Sequence, residues 1–262
     1  MKTRLDAELV RRELARSRES AVELIQSKKV LVNGMMASKP ATQVDSQTSI
    51  TVKDDVDKFV SRGGNKLAGA FDHFTKLQVN NKVALDAGAS TGGFTEVLLK
   101  RGAKQVIAVD VGYGQLAWQL QKDDRVTILD RVNVRTLTKQ QIQTELDLIV
   151  ADLSFISLKT VLPALIEISN QTTDFLLMVK PQFEVGKDRI GAGGVVRDLL
   201  ERKLAVQSVA DAAFSQGLGC FGVVASQLPG PSGNVEYFLW LNRAAPALLE
   251  VDLDLAIEKG PK

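Results

Sequence analysis

The sequence predicts an α/β protein in two parts, a small N-terminal α+β domain followed by a larger domain built on a doubly wound, mostly parallel sheet. Short apolar runs alternate with helical patterns from residue 82 onward, an order typical of parallel strands joined by helices. Composition changes ahead of that region: no Phe, Trp or Tyr precedes Phe59, and residues 1–53 hold ten basic against six acidic residues. The remainder holds 23 basic against 25 acidic residues. The acidic stretch from Asp54 to Asp57 marks a linker, and we predict domains at residues 1–58 and 59–262.

The composition is that of a folded, cytoplasmic protein. With 262 residues, 45% of them hydrophobic, the chain can bury a sizeable core. Apolar stretches such as residues 175–179 are too short to span a bilayer, and the first residues lack the apolar core of a signal peptide. The single cysteine, Cys220, excludes an intrachain disulfide and a cysteine-based zinc cluster. The net charge of +2 argues only against nucleic-acid binding by bulk electrostatics, because the excess of basic residues is concentrated in the N-terminal domain.

The pattern of the N-terminal domain predicts two short helices and then a small sheet. Apolar residues on one face define the first helix: Leu5, Leu9, Leu14 and Ala15. Ser17 is a candidate N-cap of the second helix, whose buried face consists of Ala21, Val22, Leu24 and Ile25. Asn33 and Gly34 predict a tight turn between a strand at residues 30–32 and a return strand, and residues 49–52 predict a further strand.

Several short sequences of this domain resemble the S4 RNA-binding domain, which is named after a protein of the small ribosomal subunit. They are Arg4-Leu5-Asp6, Leu14-Ala15-Arg16-Ser17-Arg18, Val30-Leu31-Val32-Asn33-Gly34, Lys39-Pro40 and Ile50-Thr51-Val52. The resemblance implies that six basic residues contact RNA phosphates: Arg4, Arg16, Arg18, Lys28, Lys29 and Lys39. The alternative is a solvated helix face. Lys28 stands where the family usually has glycine, so the turn there is expected to be less tight. Without aromatic residues the domain cannot stack unpaired bases, which favours folded RNA recognised by shape.

The larger domain predicts seven strands, with helices between most of them. The strands are expected at residues 82–86, 106–110, 126–129, 146–151, 175–179, 222–225 and 237–241, and a helical run follows the first strand at residues 94–101. In a mostly parallel sheet of this kind, the ligand site lies at the carboxyl ends of the strands.

The first chemical signal is a glycine-rich loop after the first strand, which ends at Asp86. The loop residues are Gly88, Ser90, Thr91, Gly92, Gly93 and Phe94. Glycine lets the backbone approach a ligand, and the helix that follows offers free N–H groups. A nicotinamide-binding loop would have glycine at the position of Ser90. The number of residues between Asp86 and Asp110 is the one expected for a carboxylate that binds ribose hydroxyls. The loop favours S-adenosylmethionine, whose ammonium could face Asp86, over a dinucleotide. A purely structural turn is the third alternative.

Charged residues beside apolar runs are the second signal. Asp152 and Lys180 each follow such a run, Glu236 precedes one, and Lys66 lies ahead of the first strand. Since the carboxyl ends of parallel strands share one edge, Asp152 and Lys180 should converge beside the glycine-rich loop. Taken singly, each of these residues is better explained as a surface charge.

In their order and sequence context these four residues resemble the Lys–Asp–Lys–Glu tetrad of the FtsJ-like ribose 2′-O-methyltransferases. With the S4-like domain in front, residues 1–243 are similar to the TlyA-type family, often named haemolysins but including rRNA 2′-O-methyltransferases. The resemblance implies a Rossmann-like S-adenosylmethionine-dependent methyltransferase domain, with ribosomal RNA or a ribosomal subunit as partner and no membrane. It implies catalysis by Lys66, Asp152, Lys180 and Glu236. It also implies donor binding by Asp86, Gly88, Ser90, Thr91, Gly92, Gly93, Phe94, Asp110 and Asp152.

The mechanism that follows is an in-line methyl transfer without a metal. Lys180 either removes the proton of the ribose hydroxyl or only orients that hydroxyl, while Asp152 and Glu236 hold the lysines by charge-assisted hydrogen bonds. The single histidine, His73, is expected to pack in a helix. The glycine-rich residues 183–197 either close over RNA phosphates or serve as a flexible connection.

Other function classes fit the sequence less well. An amino-group methyltransferase would have prolines after Asp152, and a dehydrogenase would have the missing glycine. The contrasting class is a membrane-active haemolysin or a non-catalytic RNA-binding protein. The sequence has no long apolar span and no strongly basic amphipathic helix to support membrane insertion.

Overall fold

The computed structural model describes residues 2–12, 14–15, 17–45, 47–52, 59–186, 189–230 and 232–261. The chain divides into two units, Met1–Asp57 and Lys58–Lys262. Arg16, one of the six basic residues assigned to RNA, lies outside the described residues, as do Lys187 of the segment 183–197 and the acidic stretch of the linker.

The described residues of the N-terminal unit form two helices and two small antiparallel sheets. The helices are α1 (Leu5–Arg11) and α2 (Arg18–Gln26), and the strands are β1 (Thr3–Arg4), β2 (Val30–Val32), β3 (Met35–Met36), β4 (Gln43–Val44) and β5 (Ile50–Val52). Strand β1 pairs with β4, and β2 lies between β3 and β5. The helices and strands enclose a small apolar core: Leu5, Leu9, Ala21, Ile25, Val30, Ala37 and Val44.

Local chemistry explains where these elements begin and turn. The hydroxyl oxygen of Ser17 accepts a hydrogen bond from the Ser20 N–H at 3.2 Å, so the predicted cap is confirmed. Asn33 and Gly34 have φ angles of 49° and 80°, and the predicted tight turn between β2 and β3 is confirmed. Lys28 has a φ of 58°. The turn after α2 therefore keeps the left-handed conformation that glycine favours, and the expectation of a looser turn is wrong.

The first helix is shorter than its apolar pattern predicts. Leu14 and Ala15 lie beyond the end of α1 at Arg11, and Leu14 is exposed. The Leu9 carbonyl accepts hydrogen bonds from both of their N–H groups, which turns the chain out of the helix. Arg12 fixes this end because its guanidinium donates to the carbonyl oxygens of Asp45 and Thr48 at 2.8 and 2.9 Å.

The larger unit is a seven-stranded sheet covered by helices. Its strands are β6 (Val83–Ala87), β7 (Gln105–Asp110), β8 (Val126–Asp130), β9 (Leu148–Ala151), β10 (Asp174–Val179), β11 (Gly219–Ala225) and β12 (Tyr237–Asn242). Its helices are α3 (Arg62–His73), α4 (Gly93–Lys100), α5 (Trp118–Gln121), α6 (Lys139–Ile142), α7 (Leu158–Ile168), α8 (Pro181–Glu184), α9 (Leu199–Phe214) and α10 (Glu250–Lys259). All seven predicted strands are present, with their ends shifted by three residues or fewer.

The strand order is β11-β12-β10-β9-β6-β7-β8, and every neighbouring pair is parallel except the two that involve β12. Alternate residues of each strand point to opposite faces of the sheet, as Leu85 and Ala84 of β6 do. Helices α7, α9 and α10 cover the face that includes Leu85, and α3, α4 and α5 cover the other. The acidic C-terminal segment contributes Leu253, Ala256 and Ile257 of α10 to the core. Its role in the structure is therefore packing.

Candidate functional site

The sheet brings four charged residues to one edge. Asp86 lies near the end of β6, Asp152 follows β9, and Lys180 follows β10. Because β9 lies between β6 and β10, the three strand ends are neighbours. Strand β12 runs antiparallel to β10, so Glu236, which precedes β12, arrives at the same end. We call this end of the sheet, where β6 to β10 terminate, the carboxyl edge.

The two lysines and two acids of the predicted tetrad form two separate ion pairs. The Nζ of Lys66 lies 2.5 Å from Oε2 of Glu236, and both side chains are buried. The Nζ of Lys180 lies 2.6 Å from Oδ1 of Asp152, a contact with ion-pair distance but not hydrogen-bond angles. The same Nζ donates a hydrogen bond to the Ser154 hydroxyl at 2.8 Å. The Asp152 carboxylate remains about a quarter exposed, so only this second pair is open to a ligand from solvent.

Glycines let α3 approach the edge closely enough for Lys66 to reach its partner. A Cβ on Gly93 would lie within 2.1 Å of the Ser61 hydroxyl, and one on Gly64 would lie 3.0 Å from the Gly93 carbonyl. The N-termini of α3 and α4 therefore meet through backbone atoms. A Cβ on Gly63 would be 3.5 Å from Oδ2 of Asp152, so α3 begins beside the second ion pair as well.

The predicted glycine-rich loop follows β6, and its backbone requires glycine at two positions. Gly88 has a φ of 88°, and a Cβ there would lie 2.6 Å from the Asp152 carbonyl oxygen. Gly92 has a φ of 95°, and a Cβ there would lie 2.3 Å from a methyl group of Leu120. Ser90 adopts a left-handed φ of 47° at the exposed tip. The loop thus presents backbone rather than side chains between β6 and α4.

Asp86 is the electrostatically unusual residue of the site. Its side chain is fully buried, Oδ2 accepts a hydrogen bond from the Thr95 hydroxyl at 2.6 Å, and Oδ1 has no hydrogen-bond partner among the described residues. Burial raises the pKa of Asp86 to about 7; the Thr95 hydroxyl opposes this rise, and the charge of Asp152 adds to it. A cationic group bound at Oδ1 would compensate this carboxylate, and the ammonium of S-adenosylmethionine is such a group. The residues present therefore fit the expected donor.

Asp110 connects the glycine-rich loop to the segment after β7. One of its carboxylate oxygens accepts the Ser90 N–H at 2.9 Å, and the other accepts the Gly112 N–H at 2.7 Å. Each oxygen keeps capacity for a further hydrogen bond, as a carboxylate that binds ribose hydroxyls needs.

Two of the predicted donor-loop residues lie away from the loop surface. The Phe94 ring is buried and packs 6.1 Å from the ring of Phe238, so its side chain belongs to the core. Gly93 is buried in the contact between α3 and α4. Thr91 is half-buried, and its carbonyl accepts the Ala117 N–H at 3.1 Å.

In the N-terminal unit, two of the predicted RNA contacts share one acid. The Arg4 guanidinium donates to both carboxylate oxygens of Asp6 at 3.0 and 2.8 Å, and Arg18 lies 3.2 Å from the same carboxylate. The Arg4 bond and, more weakly, Arg18 lower the pKa of Asp6 to about 2. Lys28 and Lys39 are exposed, and Lys29 is half-buried.

Sequence reasoning missed an aromatic pair at the carboxyl edge. Phe155, three residues after Asp152, is 91% exposed and has a φ of 62°, which is rare for a bulky residue. Its ring centroid lies 5.2 Å from that of Phe183, and the Phe183 ring lies 6.0 Å from Nζ of Lys180. No pattern in the sequence indicates the positive φ of Phe155. The Ser154 hydroxyl, which accepts the hydrogen bond from Lys180, was missed because a sequence pattern does not show which side chains meet across two strand ends.

Comparison with known proteins finds two family profiles along the chain. The profile of the FtsJ-like methyltransferase family matches residues 59–243, and that of the S4 domain matches residues 3–50. The 16S/23S rRNA (cytidine-2′-O)-methyltransferase TlyA of Mycobacterium tuberculosis is 55% identical, over 99% of this chain and 99% of its own. Hemolysin A of Brachyspira hyodysenteriae is 37% identical, over 84% of this chain and 92% of its own. A solved structure from Streptococcus thermophilus that carries the hemolysin name is 34% identical, with a TM-score of 0.80 over 98% of this chain and 95% of that one.

Proposed function

This chain belongs to the FtsJ-like methyltransferase family and carries an S4 domain, and we propose that it methylates a ribose 2′-hydroxyl in ribosomal RNA. The observation that carries the proposal is the pair of lysine–carboxylate contacts at the carboxyl edge, beside a buried carboxylate that lacks a cation. The relative from Mycobacterium tuberculosis is named for cytidine in 16S and 23S rRNA, and we propose cytidine as the target nucleoside. Ribosomal RNA as substrate also assigns the protein to the cytoplasm.

Asp86, the glycine-rich loop and Asp110 would hold the methyl donor. When bound, S-adenosylmethionine supplies a methyl group on a positively charged sulfur. Asp86 would bind the donor ammonium through its unpartnered Oδ1, and the bare backbone from Gly88 to Gly92 would let the donor lie close to the chain. Asp110 would accept hydrogen bonds from the ribose hydroxyls of the donor.

Lys180 is the residue proposed to act on the hydroxyl that is methylated. Its Nζ stands at the open ion pair, where a ribose hydroxyl can enter from solvent. In its neutral form this amine would accept the proton of the ribose hydroxyl and so leave the ribose oxygen ready to act as the nucleophile. Asp152 and Ser154 fix the amine at 2.6 and 2.8 Å, and Asp152 offsets the charge that the amine gains.

Lys66 and Glu236 are proposed to support this arrangement from within the protein. Both side chains are buried, so the pair is shielded from water, and Glu236 and Lys180 are adjacent to the paired residues Tyr237 and Val179. Phe155 and Phe183 offer an apolar surface next to Lys180 on which the base of the target nucleotide can stack. The target ribose would then be held between this surface and the donor.

The test is methylation of rRNA by purified protein, with 2′-O-methyl positions mapped on free rRNA and on isolated ribosomal subunits. We expect wild-type protein to methylate one or a few riboses and Lys180→Ala to reduce the rate by about 10²- to 10⁴-fold, the usual contribution of general acid–base catalysis. Lys104→Ala, which removes an exposed lysine just before β7 at the opposite end of the sheet, is the matched control. Full methylation by Lys180→Ala would refute the assigned role.

The haemolysin name shared by two of the relatives calls for a direct comparison. No helix in the described part of the chain is long and apolar enough to cross a membrane. Purified protein added to dye-loaded vesicles should cause no leakage, while calorimetry should detect S-adenosylmethionine binding. Leakage without donor binding would overturn the proposed function.

A further inference from the structure

Two exposed aromatic residues occur close together in the segment after β7. The chain has only two Tyr and two Trp residues. Tyr237 is buried and Trp240 is half-buried in contact with Phe74 and Phe221. By contrast, Tyr113 and Trp118 expose 71% and 69% of their surfaces. Large aromatic side chains that stay exposed to solvent often mark a binding surface.

A cationic side chain lies over each of these two rings. The guanidinium carbon of Arg131 lies 4.3 Å from the centre of the Tyr113 ring, and the Lys122 Nζ lies 4.0 Å from the Trp118 ring. An aromatic face beside a positive charge suits a nucleotide, because the base stacks on the ring while the cation attracts a phosphate. A purely apolar partner would not use these cations.

The backbone holds the Tyr113–Arg131 pair in place. Arg131 has a left-handed φ of 58°, and its N–H donates to the Gly112 carbonyl at 2.9 Å. The Gly114 N–H donates to the Asp130 carboxylate at 2.8 Å. The segment that carries the tyrosine is thus bound on both sides to the end of β8, and the ring does not depend on a mobile loop.

The pair lies on the carboxyl edge, on the opposite side of the donor loop from Lys180. Strands β8, β7, β6 and β9 are successive neighbours, so three strand spacings, about 14 Å, separate the strand end before Arg131 from that before Asp152. An RNA strand that delivers one ribose to Lys180 can reach this pair with a nearby nucleotide.

We propose that Tyr113 and Arg131 form a stacking platform for an unpaired nucleotide that neighbours the methylated one. The inference rests on the proposed function, because the nucleotide belongs to the same RNA substrate. Trp118 and Lys122 are a second exposed ring with a cation above it, so they offer the same chemistry to RNA. The competing occupant is the adenine of the methyl donor, since the segment starts at Asp110. The high exposure of Tyr113 favours the RNA, because a donor bound against the buried Asp86 lies deeper in the protein.

The experiment compares Tyr113→Ala, Tyr113→Phe and Phe214→Ala in the full-length protein. Phe214 is the control because it is also exposed but ends α9, which leads into the start of β11 at the opposite end of the sheet. RNA affinity is measured with the wild-type rRNA substrate by filter binding, donor affinity by calorimetry, and kcat and KM for RNA by methyl incorporation.

We expect Tyr113→Ala to weaken RNA binding and raise KM by about tenfold or more, the usual effect of removing one stacked base contact. Tyr113→Phe and Phe214→Ala should stay within about twofold of wild type, because ring stacking needs no hydroxyl. Donor affinity should be unchanged in all three variants, which also verifies that they fold.

Two results would overturn the inference. If Tyr113→Ala left RNA affinity unchanged, Tyr113 would not be a stacking platform for RNA. If the variant lost donor affinity and RNA affinity equally, the Tyr113 ring would instead contact the donor. Failure of the wild-type protein to methylate rRNA would instead reject the proposed function, so the two failures can be told apart.

Discussion

The two units of the chain use buried carboxylates in opposite ways. In the N-terminal unit, Asp6 is buried but receives Arg4 and Arg18 from the same chain, and its pKa is lowered to about 2. In the larger unit, Asp86 is buried and forms no ion pair with any described residue, and its pKa is raised to about 7. The difference lies in the source of the counterion: Asp6 has its counterions within the chain, and we propose that Asp86 receives its counterion from the bound donor.

Aromatic residues divide in a similar way. The N-terminal unit has none before Phe59, so its proposed contact with RNA consists of positive charge and shape. The carboxyl edge of the larger unit has exposed rings at Tyr113, Phe155 and Trp118. Basic side chains bind RNA phosphates whatever the base sequence, whereas aromatic side chains bind only bases that are free to stack on them. The comparison therefore predicts that the two units contribute to different steps of recognition.

Removal of residues 1–58 tests that division most severely. We expect RNA affinity to fall by at least about a hundredfold in about 0.1 M salt, because most of the proposed phosphate contacts are lost. The dissociation constant for S-adenosylmethionine should not change. Filter binding and calorimetry measure the two affinities. High salt is the control, since screening should bring the full-length and shortened proteins together; an equal fall in both affinities would reject separate roles.

Replacement of Asp86 by Asn tests the second half of the comparison. Donor affinity of the wild-type protein should rise about tenfold per pH unit below pH 7 and level off above it, because the ammonium binds the deprotonated acid. Asp86→Asn should bind the donor weakly and with no such pH dependence. Calorimetry from about pH 5.5 to about pH 8.5 measures donor affinity as a function of pH for both proteins.

The same substitution has an opposite effect on stability. A raised pKa means that the free protein loses stability as pH rises from about 4 to about 7, when the buried acid must ionise without a counterion. At pH values above that range, Asp86→Asn should raise the free energy of unfolding by up to about 4 kcal/mol. Asp72→Asn, at an exposed acid paired with Arg101, is the control. If the donor affinity of the wild-type protein did not depend on pH, the proposal that Asp86 binds the donor ammonium would be contradicted.

Replacement of Asp6 by Asn should give the smallest change. We expect the N-terminal unit to lose about 1 kcal/mol at neutral pH, a modest value because Arg4 and Arg18 are half-exposed. A lowered pKa means that this contribution is present above pH 4 and is lost as pH falls toward 2, so the variant and wild type should converge in acid. The unit has no aromatic reporter, so hydrogen exchange of the α1 amides measures it. Glu23→Gln, at an exposed acid of α2, should have no effect, and a similar loss there would argue against a specific role for Asp6.

The sequence predicted the features that are determined by neighbours along the chain. The Asn33-Gly34 turn, the Ser17 cap and the seven apolar strands depend on local conformational preferences, which a pattern records. The parallel order then placed Asp152 and Lys180 at one edge. Leu14 was misassigned because an apolar periodicity cannot show that Arg12 binds a distant loop and ends the helix.

The sequence could not predict how the four charged residues pair. Lys66 and Glu236 are 170 positions apart, and their contact follows from the antiparallel direction of β12 and the close approach of α3. The left-handed conformation of Phe155 is also invisible in a pattern, since the residue type argues against it. Such features arise from tertiary packing, and both lie at the carboxyl edge, where we propose that the ligands bind.

Gly88 has a consequence for how this enzyme can change over time. The gap between the donor loop and the carbonyl of Asp152 is narrower than a single methyl group, since a Cβ at that position would lie 2.6 Å from the oxygen. The Asp152 N–H also donates to the Ala87 carbonyl at 3.0 Å, so the two segments are joined where they touch. The absence of a side chain at Gly88 therefore lets the proposed donor loop and the proposed acceptor residue Asp152 lie this close together. If the proposed function is right, almost any substitution at Gly88 would push these two segments apart, even though its side chain is only a hydrogen atom.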